Sequence, residues 1–257
     1  MDTDHNYFVA EGSVVRKIWG KSDTILFIFA GAAAEFALNK AVDWLYFTGK
    51  LPADPIGRLF STVGYARQIV FSNLQDANAA IDKINAIHTA VENKRGSKIP
   101  EWAYRDVLFM LIHYSIAAFE LWERKLTEIE KDELYDVFFR MGKRMNLKDL
   151  PAGYAQWMVQ HEQHLQADLI KSNFTTDLFM QYRKSLGSSR YWLLLQTQKL
   201  IVPDRVMELL HFNKGFWPLM ILLIYKICKK IKLDGLVKAI ILPAKYKQQI
   251  KAMDMPI

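Results

Sequence analysis

The sequence predicts an all-α protein, a single globular domain of roughly ten helices, on three observations. Helix start signals recur along it, at Asp54-Pro55, Ser72-x-x-Gln75, Thr127-x-x-Glu130 and Pro203-Asp204. Between them, apolar residues return at spacings of three and four, the period of a helix with one buried face. No alternating run flanked by turn signals stands out, so no strand is predicted. A chain of 257 residues that is 51% hydrophobic has the apolar content to bury a sizeable core.

Taken in order, a polar N-terminal stretch, MDTDHNYFVAEG, carries none of the marks of a signal peptide. Val14–Trp19 reads as a short helix leading into a longer one over 24–47. The apolar run Ile25–Ala34 is ten residues long before Glu35 interrupts it, against about 20 for a bilayer span. It is therefore expected to be buried in protein, with Gly31-Ala32-Ala33-Ala34 open to close approach by a neighbouring helix or a ligand edge. Gly49-Lys50-Leu51-Pro52 is a turn. Two capped helices follow, starting at Pro55 and Ser72, and then a polar loop over 93–100. Pro100 opens a helix to about Leu126 whose middle, 107–118, is apolar nearly all round, the mark of a central element. Thr127 caps a helix to about Met145, and Asn146–Gly153 is a connector. Tyr154 begins a helix to about Lys171, Thr175 or Thr176 caps the next, Ser188/Ser189 starts another, and Pro203-Asp204 starts a short one. The final segment, 216–243, is apolar first and basic later. This gives an N-terminal segment (1–23), a helical body (24–212) and basic apolar C-terminal helices (213–257) packed on the same domain.

The candidate chemistry lies on the two helices of 52–91. On the first, Arg58, Thr62, Tyr65 and Ile69 fall at i, i+4, i+7 and i+11 and share one stripe. On the second, His88 lies within the stripe Ala77, Ile81, Ile84, Ile87 and Val91. An Arg/Thr pair and an imidazole could thus face each other across a pocket. The plainer readings are a hydrogen-bonded core histidine, an Arg58 ion pair with Asp54, and a Thr62 hydroxyl bonded back to the Arg58 carbonyl.

The order Gly31…Asp54-Pro55-x-Gly57-Arg58-Leu59-x-x-Thr62…Ile87-His88-x-x-Val91…Ile112-His113 resembles the catalytic domain shared by latex-clearing proteins (rubber oxygenases) and MpaB-type oxygenases. The resemblance implies an all-helical protein that binds haem b in a pocket between central helices. It implies His88 as the proximal iron ligand, with Arg58 and Thr62 on the distal side near bound O2, and an apolar unsaturated substrate of isoprenoid or lipid-like character. His113 is a further candidate, as a cofactor contact or a core histidine. Asp43 is the nearest match to a carboxylate proposed as a base in rubber oxygenases. The chain departs from the family where some members have a Lys before the distal Thr (here Ser61) and where many have His-Pro (here Leu38-Asn39-Lys40). These departures leave open a non-catalytic haem- or lipid-binding protein of the same fold.

His161-Glu162-Gln163-His164 lacks the His-Glu-x-x-His spacing of a zinc protease helix and is expected to be a solvated polar face. The net charge of +7 is concentrated: residues 214–251 hold nine Lys and one Asp, a local +8, leaving the remainder at −1. That tail suggests either a helix docked on the core or peripheral contact of 216–251 with an anionic membrane surface. Nothing in it resembles a nucleic-acid recognition motif. A single cysteine, Cys228, excludes an intramolecular disulfide, and a cytoplasmic protein is the expectation.

Overall fold

A computed structural model describes residues 6–49, 53–213 and 215–232. Among them the chain forms eleven helices: α1 (Val14–Trp19), α2 (Ser22–Phe36), α3 (Val42–Phe47), α4 (Pro55–Phe71), α5 (Leu74–Arg95), α6 (Glu101–Trp122), α7 (Glu128–Arg144), α8 (Tyr154–Ala167), α9 (Asn173–Ile201), α10 (Asp204–Leu209) and α11 (Phe216–Lys230). Two isolated bridges, Tyr7 to Asn73 and Asn39 to Leu169, are the only β-type pairings among the described residues. The all-α expectation holds.

The capping chemistry read from the sequence fixes several of these boundaries. Asp54 accepts a hydrogen bond from Gly57 N at 2.9 Å with Pro55 at the first helical position. A Cβ on Gly57 would stand 2.3 Å from Asp54 Oδ2, so a side chain there would push the capping carboxylate aside. Thr127 and Glu130 form the reciprocal box at the start of α7. Other starts shift by a residue or more. Asn73, not Ser72, caps α5, accepting from Asp76 N. Ser172 caps α9 and pairs with Thr175, while Pro100 is the N-cap of α6 rather than its first residue.

The segment expected as one helix over 24–47 is two. Asn39 Oδ1 accepts from Ala41 N at 2.8 Å, closing a side-chain turn that competes with helix propagation and separates α2 from α3. The helices expected on either side of Ser188 run on as α9, kinked at Gly187, where φ is +74° and ψ 167°.

Helix α6 is the central element, packing against α1, α2, α7, α8 and α9. Leu108–Ile112 and Tyr114–Ile116 are buried, and only Val107 of the apolar middle is exposed. Its closest partner is α2, whose Gly31 leaves room for Tyr114: a Cβ there would sit 2.2 Å from Tyr114 Cε1. The visitor to the small-residue surface is therefore this neighbouring helix. A main core runs through α1 to α9, and a smaller apolar cluster joins Ala34, Leu38, Leu165, Leu169 and Val206. α4 and α5 pack along each other on the flank of this core. α11 lies across it through Trp122–Tyr225 ring contact at 5.0 Å and a Tyr225 hydroxyl to Asp23 bond of 2.6 Å. No described helix is long and apolar enough to cross a membrane. Most of the expected turn Gly49-Lys50-Leu51-Pro52 and the part of the C-terminal segment beyond 232 lie outside the described residues.

Candidate functional site

Packing of α4 along α5 brings Arg58 close enough to His88 for its charge to act on the ring. Burial, then the Arg58 guanidinium, push the His88 pKa down to about 4, against a smaller opposing pull from Glu92. The imidazole is therefore neutral at physiological pH. Its Nδ1 is buried and has no hydrogen-bond partner among the described residues. The ring stands 5.0 Å from that of Tyr104 on α6, and the Tyr104 hydroxyl donates to Glu92 Oε1 at 3.2 Å. Glu92 is fixed in turn by Lys98 Nζ (2.8 Å) and Ile99 N (3.0 Å). One helical turn past His88, an anchored carboxylate thus holds the aromatic wall against which the imidazole rests.

Arg58 is half-buried near the start of α4, and burial lowers its pKa. Its Nη1 reaches Ser61 Oγ at 3.4 Å. Thr62 Oγ1 donates back to the Arg58 carbonyl at 3.2 Å, the plainer of its two readings, so its hydroxyl must rotate to serve a ligand. Asp43 is ion-paired with Arg95 Nη2 at 2.7 Å, and the Arg95 guanidinium lies 4.0 Å above the Trp44 ring. Arg95 sits two turns beyond His88 on α5, so α3 lines the same side of that helix.

His113 does not join this group. Its ring bonds to the Ile201 carbonyl, its Nε2 is buried without a partner among the described residues as His88 Nδ1 is, and burial lowers its pKa to about 4. It stacks on His161 of α8 (4.9 Å, 24° between planes), which in turn stacks on Trp157 (5.1 Å, 15°). The solvated face expected at His161 and His164 is thus overturned: His161 is 7% exposed, and His164 is wedged between Asp106 and Asp168. Trp157, His161, His164 and Asp168 share the α8 face that meets α6, and the polarity of the remaining α8 residues hid that face in the sequence. The helical spacing Trp157-x3-His161-x3-Leu165 was the signal available for it.

A second buried polar group lies where α2 ends. Glu35, interrupting an apolar run, is 4% exposed and accepts from the Tyr114 hydroxyl at 2.8 Å. Burial raises its pKa to about 8, with the Tyr114 bond opposing and the Asp106 charge adding. Separately, an open groove of about 970 Å³ and mixed polar and apolar character runs between the N-terminal segment and the start of α5, lined by Tyr7, Glu11, Asn73, Leu74 and Arg144. It stops at Asp82 on α5, about 9 Å along the axis short of His88.

Compared with known proteins, residues 17–221 match the family described as ER-bound oxygenase mpaB/B'/Rubber oxygenase, catalytic domain. The match spans about four-fifths of the chain and contains α2 to α10 entire, with every candidate residue above. No curated protein and no solved structure matches it.

Proposed function

The chain belongs to the mpaB/rubber oxygenase catalytic-domain family, and from that premise we propose that it is a haem b-dependent oxygenase acting with O2 on an apolar, unsaturated substrate of isoprenoid or lipid-like character. The observation that carries the reading is the half-buried Arg58 guanidinium acting on His88 from the facing helix: His88 shares a neutral ring and a buried, unpartnered nitrogen with His113 and His161, and among these three Arg58 acts on it alone. That donor set fits a haem site, because iron takes the neutral ring and a fixed cation suits a position where negative charge develops. When bound, haem supplies the activation of O2 and the electron steps of C=C oxidation.

The chain's own residues do the rest. His88 holds the iron, its ring orientation set by Tyr104 and, through it, by Glu92. Arg58 keeps its charge in a partly dry setting, since a guanidinium stays protonated where an amine would not, and it offers a rigid fork of donors to an oxygen ligand. Thr62 adds a donor once released from the Arg58 carbonyl. Phe47 and Ile87, both exposed, provide apolar surface on the α3 and α5 side for a hydrocarbon chain. His113, bonded to the Ile201 carbonyl and stacked on His161, supports α6 and α8, and its unpartnered Nε2 keeps it the alternative ligand.

The test is oxygen consumption by haem-reconstituted protein over a panel of polyprenoid and fatty olefins. Arg58→Leu should load haem normally and lose roughly a hundredfold or more in turnover, the scale of removing one preorganised charge donor. Loaded wild type that consumes no oxygen with any olefin favours the non-catalytic binding reading instead.

A second feature bears on where the protein works. Phe216, Trp217, Leu219, Leu223, Ile224, Ile227 and Ile231 are each more than half exposed along α11. Such a stripe, with Lys230 and Lys232 exposed at its basic end, suits the headgroup region of an anionic bilayer. Lys226 and Lys229 are spent inward, on the Leu121 carbonyl and on Asp23, each at 2.8 Å. Fewer lysines therefore face a membrane than the sequence alone suggests.

A further inference from the structure

On the far side of α6 from Tyr104, a different group of ligating side chains converges. Asp106 lies two residues after Tyr104, about 200° round the helix axis. It meets His164 and Asp168, one turn apart at the end of α8. The side chains are 5%, 15% and 18% exposed, and one ligand atom from each lies within 4.8 Å of the other two. We propose that Asp106, His164 and Asp168 form a binding site for a divalent transition-metal ion, distinct from the His88 site.

The argument is one of satisfiability. Two carboxylates press on the same ring nitrogen: His164 Nδ1 is 2.7 Å from Asp168 Oδ2 and in contact with Asp106 Oδ1. A single N–H cannot be aimed at both. It is aligned on Asp168, and Asp106 Oδ1 is left buried without an aligned donor. A buried carboxylate oxygen that touches the ring nitrogen without an aligned donor is satisfied only in part. A cation in place of the shared proton satisfies all three atoms at once.

The supports behind the ligands are those a metal site needs. Asn39 Nδ2 donates to Asp106 Oδ2 at 2.7 Å, leaving Oδ1 as the free ligand atom. Asn39 is itself pinned by Ala41 N, and its turn is stitched to the Asp168 region by Lys40 N to Asp168 O (2.9 Å) and Ile170 N to Leu38 O (2.8 Å). The edge-on contact with Phe109 (5.2 Å) fixes the His164 ring. One imidazole and two carboxylates select Zn2+, Fe2+, Co2+ or Mn2+ over all-oxygen ions such as Mg2+ and over soft Cu+. Three protein ligands leave at least one position open.

The test is titration of tag-free, metal-stripped full-length protein with Co2+, read by its visible ligand-field bands, and with Zn2+ by calorimetry. Wild type is expected to bind about one equivalent of either ion and to gain thermal stability from it. His164→Ala and Asp168→Asn should abolish the bands. Asn39→Ala should weaken affinity roughly ten- to a hundredfold as a positioning residue, and His88→Ala should bind as wild type does. Circular dichroism confirms that each variant is folded. Asp168→Asn, at the less buried end of the helix, serves if His164→Ala is not folded. Wild type that takes up neither ion overturns the proposal, leaving a protonated histidine shared by two carboxylates. So does undiminished binding in a folded His164→Ala or Asp168→Asn.

Discussion

At Gly31 the absence of one carbon decides how the two longest-buried helices meet. Tyr114 occupies the space a Cβ would need, and its hydroxyl serves Glu35 one turn further along α2. Gly31→Ala should therefore cost about 1–3 kcal/mol by forcing the fully buried ring aside, measured by chemical denaturation. An unchanged midpoint would mean that the contact can relax freely. The sequence showed Gly31 as a place of close approach, and it showed Glu35 as a break in an apolar run. Neither position revealed the other, because they meet through a residue about 80 positions on, at a separation no local pattern encodes. The candidate residues divide the same way. Arg58, Thr62 and His88 could be grouped from spacing within two consecutive capped helices. The pairing of His113 with His161, and of Asp106 with His164, depends on how α8 lies on α6.

Element boundaries were legible wherever a side chain writes them. Asp54-Pro55-x-Gly57 and Thr127-x-x-Glu130 behave as their residues dictate. The break between α2 and α3 has no Gly or Pro to announce it, being made by the Asn39 side chain turning back on its own backbone. In α9 the expected new start near Ser188 corresponds to a kink: Gly187, at φ +74° and ψ 167°, occupies a region that L residues with a Cβ avoid. Nothing within 4 Å would obstruct a Cβ there, so the penalty for Gly187→Ala is conformational. It should cost about 1–3 kcal/mol, read as a lower denaturation midpoint. A neutral result would show that α9 can straighten. For α11, wild type should co-sediment with vesicles containing anionic phosphatidylserine, and Leu223→Asp should release it. Equal sedimentation of the two proteins, or none with wild type, would assign the exposed stripe to another surface.

Across the whole molecule, buried ionisable groups set the pH range of stability. His113 and His161 are held neutral, with pKa values lowered chiefly by burial from 6.5 to about 4 and about 3. The unfolded chain takes up protons below 6.5 that the folded one refuses. Their contribution is thus full above that pH and drains away as pH falls toward 4 and 3. Glu35 works in the opposite sense. Its folded pKa of about 8 lies above 4.5, so it keeps a proton that the unfolded chain loses, and stability declines as pH rises through that window. Thermal midpoints should therefore fall on both sides of an optimum near about pH 6.5, where the protons refused by the two folded histidines balance the one held by Glu35. Glu35→Gln should flatten the alkaline limb and leave the acid limb in place. An unchanged alkaline limb would remove Glu35 as its cause. The all-α class was legible as a whole because helical periodicity is repeated in almost every segment. Polar side chains facing a neighbouring helix were not, since a polar residue on an amphipathic helix looks the same whether it meets water or a buried partner.

The central claim is that His88 holds the haem iron, and axial ligation tests it most directly. Wild type, His88→Ala and His113→Ala are each reconstituted with haem and compared by Soret absorbance and magnetic circular dichroism. His88→Ala should lose the imidazole-ligated spectrum, while His113→Ala should keep it. An unaltered spectrum in His88→Ala, with the signature lost in His113→Ala, would contradict the assignment and move the iron to the other side of α6.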